Sequence, residues 1–202
     1  MLGSLLPFVL LIDASLMSIM YIGSVNYFEK SESTISTLLV TPITNSELVL
    51  SKVFANTIHN LFSSTLIIIV FYFIKNVEIN LLLLFMGILF TTNFFTIAGL
   101  SLSYYQKDFT TMLMTIMALS FTLMVPTLLY LFNVLTWDGW EYILLVNPIQ
   151  AAEFLISGGF KGAEYNYQYF FSLAYMFFGA ILLYQFHTLP KFQDYAVRQS
   201  GV

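Results

Sequence analysis

Leu81-Leu82-Leu83-Leu84-Phe85-Met86-Gly87-Ile88-Leu89-Phe90 runs on through Thr91-Thr92-Asn93-Phe94-Phe95-Thr96-Ile97-Ala98-Gly99-Leu100-Ser101-Leu102-Ser103 without one charged side chain. An apolar helix needs about 20 residues to cross the hydrocarbon core of a bilayer, whereas a barrel strand needs only ~10. The run is too long and too continuously apolar for a strand, so it reads as a spanning helix. Residues 4–26, 51–74, 111–134 and 169–188 carry the same signature. Composition points the same way: 58% hydrophobic, 18% aromatic and 9% charged, with a mean hydropathy of +0.82. Soluble domains carry about 25% charged residues, and disordered chains are apolar-poor, so neither class fits. The expected fold is an all-α integral membrane protein with five transmembrane helices, forming one membrane domain over residues 1–202.

Two connections are long, residues 29–50 and 135–168. Cytoplasmic loops favour Lys and Arg. If 29–50 is cytoplasmic, that side holds Lys30, Lys52, Lys107, Lys191 and Arg198, while the other holds Lys75 and Lys161. Trp137, Trp140 and Tyr142 then suit an outer interfacial belt. This orientation puts the first span's start outside and the C-terminus inside. Met1 enters its apolar run with no positive segment before it and no cleavage site after it, unlike a signal peptide. The expectation is that a further cytoplasmic segment and spanning helix precede it, for six spans in all. Pro190 is expected to stop the fifth helix. Residues 142–157 are too short an apolar stretch to span and are interrupted by Asn147-Pro148, so they should form short extracellular re-entrant or interfacial helices.

The segment from Phe28 to Ile43 stands apart. Ile35, Leu38 and Leu39 fall at i, i+3, i+4 and form the apolar stripe of a short helix. Thr41-Pro42 ends it, because the residue before proline leaves the helical region. Thr44 and Glu47 make a capping box that starts the next helix. Leu38 and Leu39 are expected to project towards a partner, and Glu32 to occupy the short helix's first turn, where its dipole favours a carboxylate. A short helix, a proline break and a capped re-entry together form a compact knob.

Glu29-Lys30, Glu32, Thr34, Leu38-Leu39, Thr41-Pro42 and Glu47-Leu48, in that order, resemble the signature of the permease subunits of type-2 ABC exporters. Ser33 stands where that family usually has glycine. Asn147-Pro148 before the last span is also similar to the family. The likeness runs from the family's second span to its sixth and is nearest to fluoroquinolone-export and other drug-export permeases. It implies that the loop is a coupling helix carrying Glu29, Lys30, Glu32, Thr34, Leu38, Leu39, Pro42 and Glu47. It further implies a separate ABC ATPase subunit that binds ATP and Mg, a second permease subunit in a homo- or heterodimer, surrounding lipid, and a bacterial plasma membrane. No cofactor is expected on this chain itself.

Other chemistry finds little support. Seven Lys and Arg against eleven Asp and Glu give a net charge of −4, with no basic patch for nucleic acid. There is no cysteine, and no G-x-x-x-x-G-K-[ST] run to cradle phosphates. Gly158-Gly159-Phe160-Lys161-Gly162 has the wrong spacing and reads as a turn. His59 and His187 fall in different spans, which gives no metal pair and leaves helix packing as their reading. An intramembrane enzyme would need a convergent nucleophile and base. A secondary transporter would need midplane acids, and Asp13 is the one good candidate.

Asp13, Asn56, Asn60, Thr92 and Thr115 are candidates for a translocation path, because polar groups inside a membrane are costly. Asp13 could equally contact a further helix or outer headgroups. Asn56, Asn60 and Ser63 share one face, as do Thr92 with Thr96 and Thr111 with Thr115 and Thr122, and such faces also glue helices together. Met112, Met114, Met117 and Met124 give the fourth span adaptable apolar surface.

The charge count predicts a labelling pattern. In this cysteine-free chain, an impermeant thiol reagent applied to intact cells should label Lys161→Cys and leave Lys30→Cys untouched; the reverse pattern would invert the orientation.

Overall fold

The computed structural model of the protein describes residues 2–74, 78–106, 108–137, 139–161 and 165–200. Met1, Lys75, Lys107 and Gly162, which entered the reading above, lie outside the described residues. The first span is α1 (Leu2–Ile12), a π-helical turn (Asp13–Met17) and α2 (Ser18–Ser31) in succession. A six-residue helix, α3 (Thr34–Leu39), leads to α4 (Asn45–Ile74), α5 (Leu81–Ser103) and α6 (Phe109–Leu131). Two short helices, α7 (Trp140–Leu144) and α8 (Pro148–Ser157), precede α9 (Tyr167–Leu183), a second π turn (Tyr184–Thr188) and α10 (Leu189–Ser200). Among the described residues the one β feature is an isolated bridge between Ile79 and Phe160. The protein is an all-α membrane protein: five helical stretches, Leu5–Ser31, Asn45–Ile74, Leu81–Ser103, Phe109–Leu131 and Tyr167–Arg198, are long and apolar enough to cross a bilayer.

Short polar side chains set the helix starts. Asn80, Asp108, Asn147 and Asn166 take the N-cap positions of α5, α6, α8 and α9 and accept from backbone amides of the first turn. At Asp108 the Thr111 amide and hydroxyl both donate, at 2.7 and 2.6 Å, and hold the carboxyl below its ordinary range.

The central helix is α5, against which α2, α4, α8 and α9 all pack. Its Leu84, Ile88 and Leu100 are fully buried, along with Thr91, Thr92 and Thr96. Two glycines allow that closeness. A Cβ on Gly87 would lie 2.5 Å from the Leu155 carbonyl oxygen of α8, and one on Gly99 would lie 2.8 Å from the Ile19 carbonyl oxygen of α2. By contrast α4 and α6 are peripheral, and Phe54, Phe62, Phe73, Met114 and Phe121 turn outward.

Helix α8 is an inserted element that does not cross. Ile149, Ala151, Ala152, Leu155 and Ile156 are buried among α1, α5 and α9, as expected of a re-entrant or interfacial segment. Asn147 secures it twice. Its Oδ1 accepts from the Ile149 amide at 3.0 Å, and its Nδ2 donates to the Leu123 carbonyl at 2.7 Å, beside the Pro126 interruption of α6. Gly158 and Gly159 form the expected turn, from which Gly159 accepts the Asn80 amide at 2.8 Å.

One expectation fails here and two are refined. Pro190 does not end the last helix, which continues through α10. A π turn precedes it, in which the Leu189 amide reaches back to the Tyr184 carbonyl. That wider turn relieves the clash between a proline ring and the preceding carbonyls. The second span begins at Asn45 rather than at residue 51, because the capping box lies further out than the apolar run. The four methionines of α6 divide: Met112 and Met124 fill the core, while Met114 and Met117 are exposed.

The close approach at Gly99 yields a prediction. Gly99→Ala should destabilise the detergent-solubilised protein by about 1–3 kcal/mol, as overpacking does. Gly179→Ala, whose Cβ would meet only the Phe94 ring edge at 3.0 Å, should cost less. Equal melting temperatures for the two variants would contradict the central packing of α5.

Candidate functional site

Two places hold the sequence candidates: the knob at one end of the bundle, and a polar seam in mid-span.

The knob is built as its sequence suggests. The Thr44 hydroxyl and amide donate to Glu47 Oε2 at 2.7 and 2.8 Å, and the Glu47 amide donates back to Thr44 Oγ1 at 3.3 Å, closing the capping box. Ser33 is the hinge. Its φ of 60° lies in the left-handed region, so the family's usual glycine has a steric reason at this position.

The stripe faces inward. Ile35 is 1% exposed, and Leu38 and Leu39 pack half-buried against the core near α2 and α10. The expectation that Leu38 and Leu39 project is therefore corrected: periodicity identifies an apolar face, and here the bundle itself covers it. What projects is the break after the helix, with Val40 85% and Ile43 43% exposed around exposed Pro42. Glu32 and Thr34 are exposed too. Glu32 is the C-cap of α2 and not part of the first turn of α3, so the favourable dipole argument does not apply to it.

Glu29 and Lys30 lie behind the knob. Glu29 pairs with Lys52 of α4. Lys52 also donates to Asn26 Oδ1 at 2.6 Å, and Asn26 Nδ2 donates to Ser103 Oγ at 2.6 Å. Lys30 donates to the Ser103 carbonyl at 2.8 Å and lies over the rings of Tyr104 and Tyr195. These charges therefore join α2, α4, the end of α5 and α10 into one polar layer at the base of the knob.

In mid-span the first π turn carries Asp13. Ser63 and Ser64 donate to its two carboxylate oxygens at 3.1 and 2.8 Å, and Asn60 Nδ2 donates to its backbone carbonyl at 2.9 Å. The partners of Asp13 among the described residues are thus on the second span. Asn60 Oδ1 accepts from Thr92 at 2.7 Å, and Asn56 Nδ2 donates to Thr96 at 2.6 Å. Asn56, Asn60, Thr92 and Thr96 are all buried. Thr115 is not part of this group: it donates to the Thr111 carbonyl of its own helix at 2.8 Å. A cleft of about 440 Å³ lies against the seam, reached by Asp13, Tyr21, Asn56, His59 and Asn60. His59 stacks on Tyr21 with centroids 4.6 Å apart, and Ser18 Oγ and Asn56 Oδ1 are buried there without a protein partner. His187 hydrogen-bonds Ser101 and Tyr105, which fits its packing role.

Sequence reasoning missed Glu153. It lies half-buried in α8, where loss of solvation pushes its carboxyl up to about 7, with a hydrogen bond from the Ser157 hydroxyl opposing. The available signal was an acid inside an apolar segment too short to span. Among the described residues no cluster of three or more potential metal ligands occurs.

A family model described as ABC-2 type transporter matches residues 6–160. No curated protein and no solved structure matches the chain.

Ser33 can be tested directly. A left-handed L-residue costs about 1–2 kcal/mol, partly offset by the extra freedom glycine has when unfolded. Ser33→Gly should therefore stabilise the knob by about 0.5–1 kcal/mol, read as slower amide hydrogen exchange across Thr34–Leu39. Faster exchange would refute the hinge.

Proposed function

The chain belongs to the ABC-2 type transporter family, the membrane-spanning permease component of ABC transporters, and on that premise we propose that it works with a separate ATPase subunit docked on the knob. The carrying observation is the knob itself, whose exposed apolar tip at Val40, Pro42 and Ile43 stands on a rigid polar base. The chain's lack of a phosphate-binding loop supports hydrolysis in trans. In this reading ATP and Mg are held by the ATPase. Two permease subunits, identical or not, pair side by side in a bacterial plasma membrane, with the knob in the cytoplasm. Closure of the ATPases loads α3, and the load passes through Glu29, Lys30 and Lys52 into the first three spans. Glu32, Thr34 and Glu47 frame the docking tip, while Leu38 and Leu39 anchor α3 to the bundle. The cleft beside Asp13 is the start of the translocation path, with Asn56 and Asn60 at its wall and Thr92 supporting Asn60 from behind. The resemblance to drug-export permeases makes small amphipathic compounds the cargo class.

The docking reading is tested at the tip. Burying Val40 and Ile43 would contribute roughly 1.5–3 kcal/mol each. Val40→Asp with Ile43→Asp should therefore weaken ATPase co-purification by about a hundredfold or more while leaving expression and melting temperature near normal. Leu38→Asp with Leu39→Asp should instead lower the melting temperature, since those side chains are internal. A tip variant that still retains the ATPase and exports at the normal rate would remove the knob from the coupling role.

A further inference from the structure

At the end of the bundle away from the knob, α1, the end of α6 and α8 enclose a cavity of about 470 Å³. Leu5, Pro7, Phe8 and Leu11 form one wall, and Leu128 and Leu131 the other. Among the described residues, the polar side chains that reach it are those of Glu153 and Ser157. A carboxylate taken out of water is costly unless a cation or several donors compensate it. Among the described residues Glu153 has no cation and two donors, Gln150 Nε2 at a long 3.3 Å and the Ser157 hydroxyl.

The cations among the described residues are engaged elsewhere. Lys52, Lys161 and Arg198 pair with Glu29, Glu78 and Asp194. Lys30 is taken up by carbonyls at the end of α5, and Lys191 lies over the Tyr105 ring. The ionisable group nearest Glu153 is Tyr130 of α6, which also lies near Glu141 of α7. Tyrosine cannot be a counter-cation, so among the described residues the site has an acid, greasy walls and no positive partner.

We propose that this cavity binds a lipophilic organic cation, its charge set against Glu153 and its apolar body against Leu5, Phe8 and Leu128. A metal ion fits poorly, because hard cations need six or more oxygen ligands or retained waters, and this cavity supplies one carboxylate and one hydroxyl among hydrocarbon. A cation set beside it would favour the ionised carboxylate, whereas an anion or a neutral compound would leave the acid to its proton. Binding requires neither ATP nor an ATPase, so the inference stands apart from the transport reading.

The test uses two ions of nearly one shape and opposite charge, tetraphenylphosphonium and tetraphenylborate. Equilibrium dialysis of the full chain in lipid nanodiscs, with empty nanodiscs subtracted, should show saturable binding of the phosphonium and none of the borate. Glu153→Gln should weaken phosphonium binding by about tenfold or more, and its fold is checked by an unchanged or raised melting temperature, since glutamine keeps the shape and removes an ionisable group that is costly to bury. Leu128→Trp, which fills the cavity and leaves the acid in place, should weaken it as well. Equal binding of both ions, no saturable binding above empty discs, or wild-type affinity in either folded variant would overturn the site.

Discussion

Inside a bilayer a polar group has no water to turn to, and each must find its partner within the protein. The side-chain amide of Asn60 meets that requirement for three helices at once: it donates to the carbonyl of Asp13 and accepts from Thr92. The π turn makes the first of these possible. A wide turn leaves backbone carbonyls less committed to their own helix, and the Asp13 carbonyl is used across the interface. With Ser63 and Ser64 on the carboxylate, the first span is fixed in rotation against the second. The Asn56–Thr96 bond then fixes the second against the third. Since lipid is as apolar as leucine, helix association here depends on such bonds and on close backbone contact. Gly99 supplies the close contact between the first and third spans.

The two ends of the bundle use charge differently. Near the knob, Glu29, Lys52, Asn26, Ser103 and Lys30 form a linked layer in which most partners come from different helices. A displacement of α3 cannot be absorbed locally, because Ile35 is locked into the core just above that layer. Away from the knob, Glu153 stands almost alone and the surrounding contacts are apolar. The end near the knob is cross-linked between helices, and the far end has room.

The spans were legible because continuous apolarity needs no knowledge of neighbours, and residues 81–103 were bounded to the residue. The capping box at Thr44 and Glu47 was legible for the same reason, being local chemistry. Whatever depended on a distant partner was not. Periodicity showed that Ile35, Leu38 and Leu39 share a face, but not that α2 and α10 cover it. Asp13 announced a need for donors, yet nothing near it in the chain named Ser63 and Ser64. Pro190 was read as a stop because that rule assumes an unbroken α-helical ladder, which the π turn before it replaces. Glu153 went unnoticed because an acid in a loop is ordinarily solvated, and only the insertion of α8 among α1, α5 and α9 takes it out of water.

The uninterrupted passage through Pro190 has a practical side. The last span runs for 32 residues, about 48 Å at the rise of an α-helix, while the hydrocarbon core takes up about 30 Å. The remainder is a stiff rod beside α3, with Phe192 packed into the bundle and Arg198 clasping Asp194 near its tip. A purification tag or fluorescent protein fused close behind that rod would be held in the space next to the knob, where it would crowd any subunit docking there. Fusions for interaction studies are better placed at the opposite end of the bundle, in the segment between α8 and α9, where bulk would not obstruct the knob.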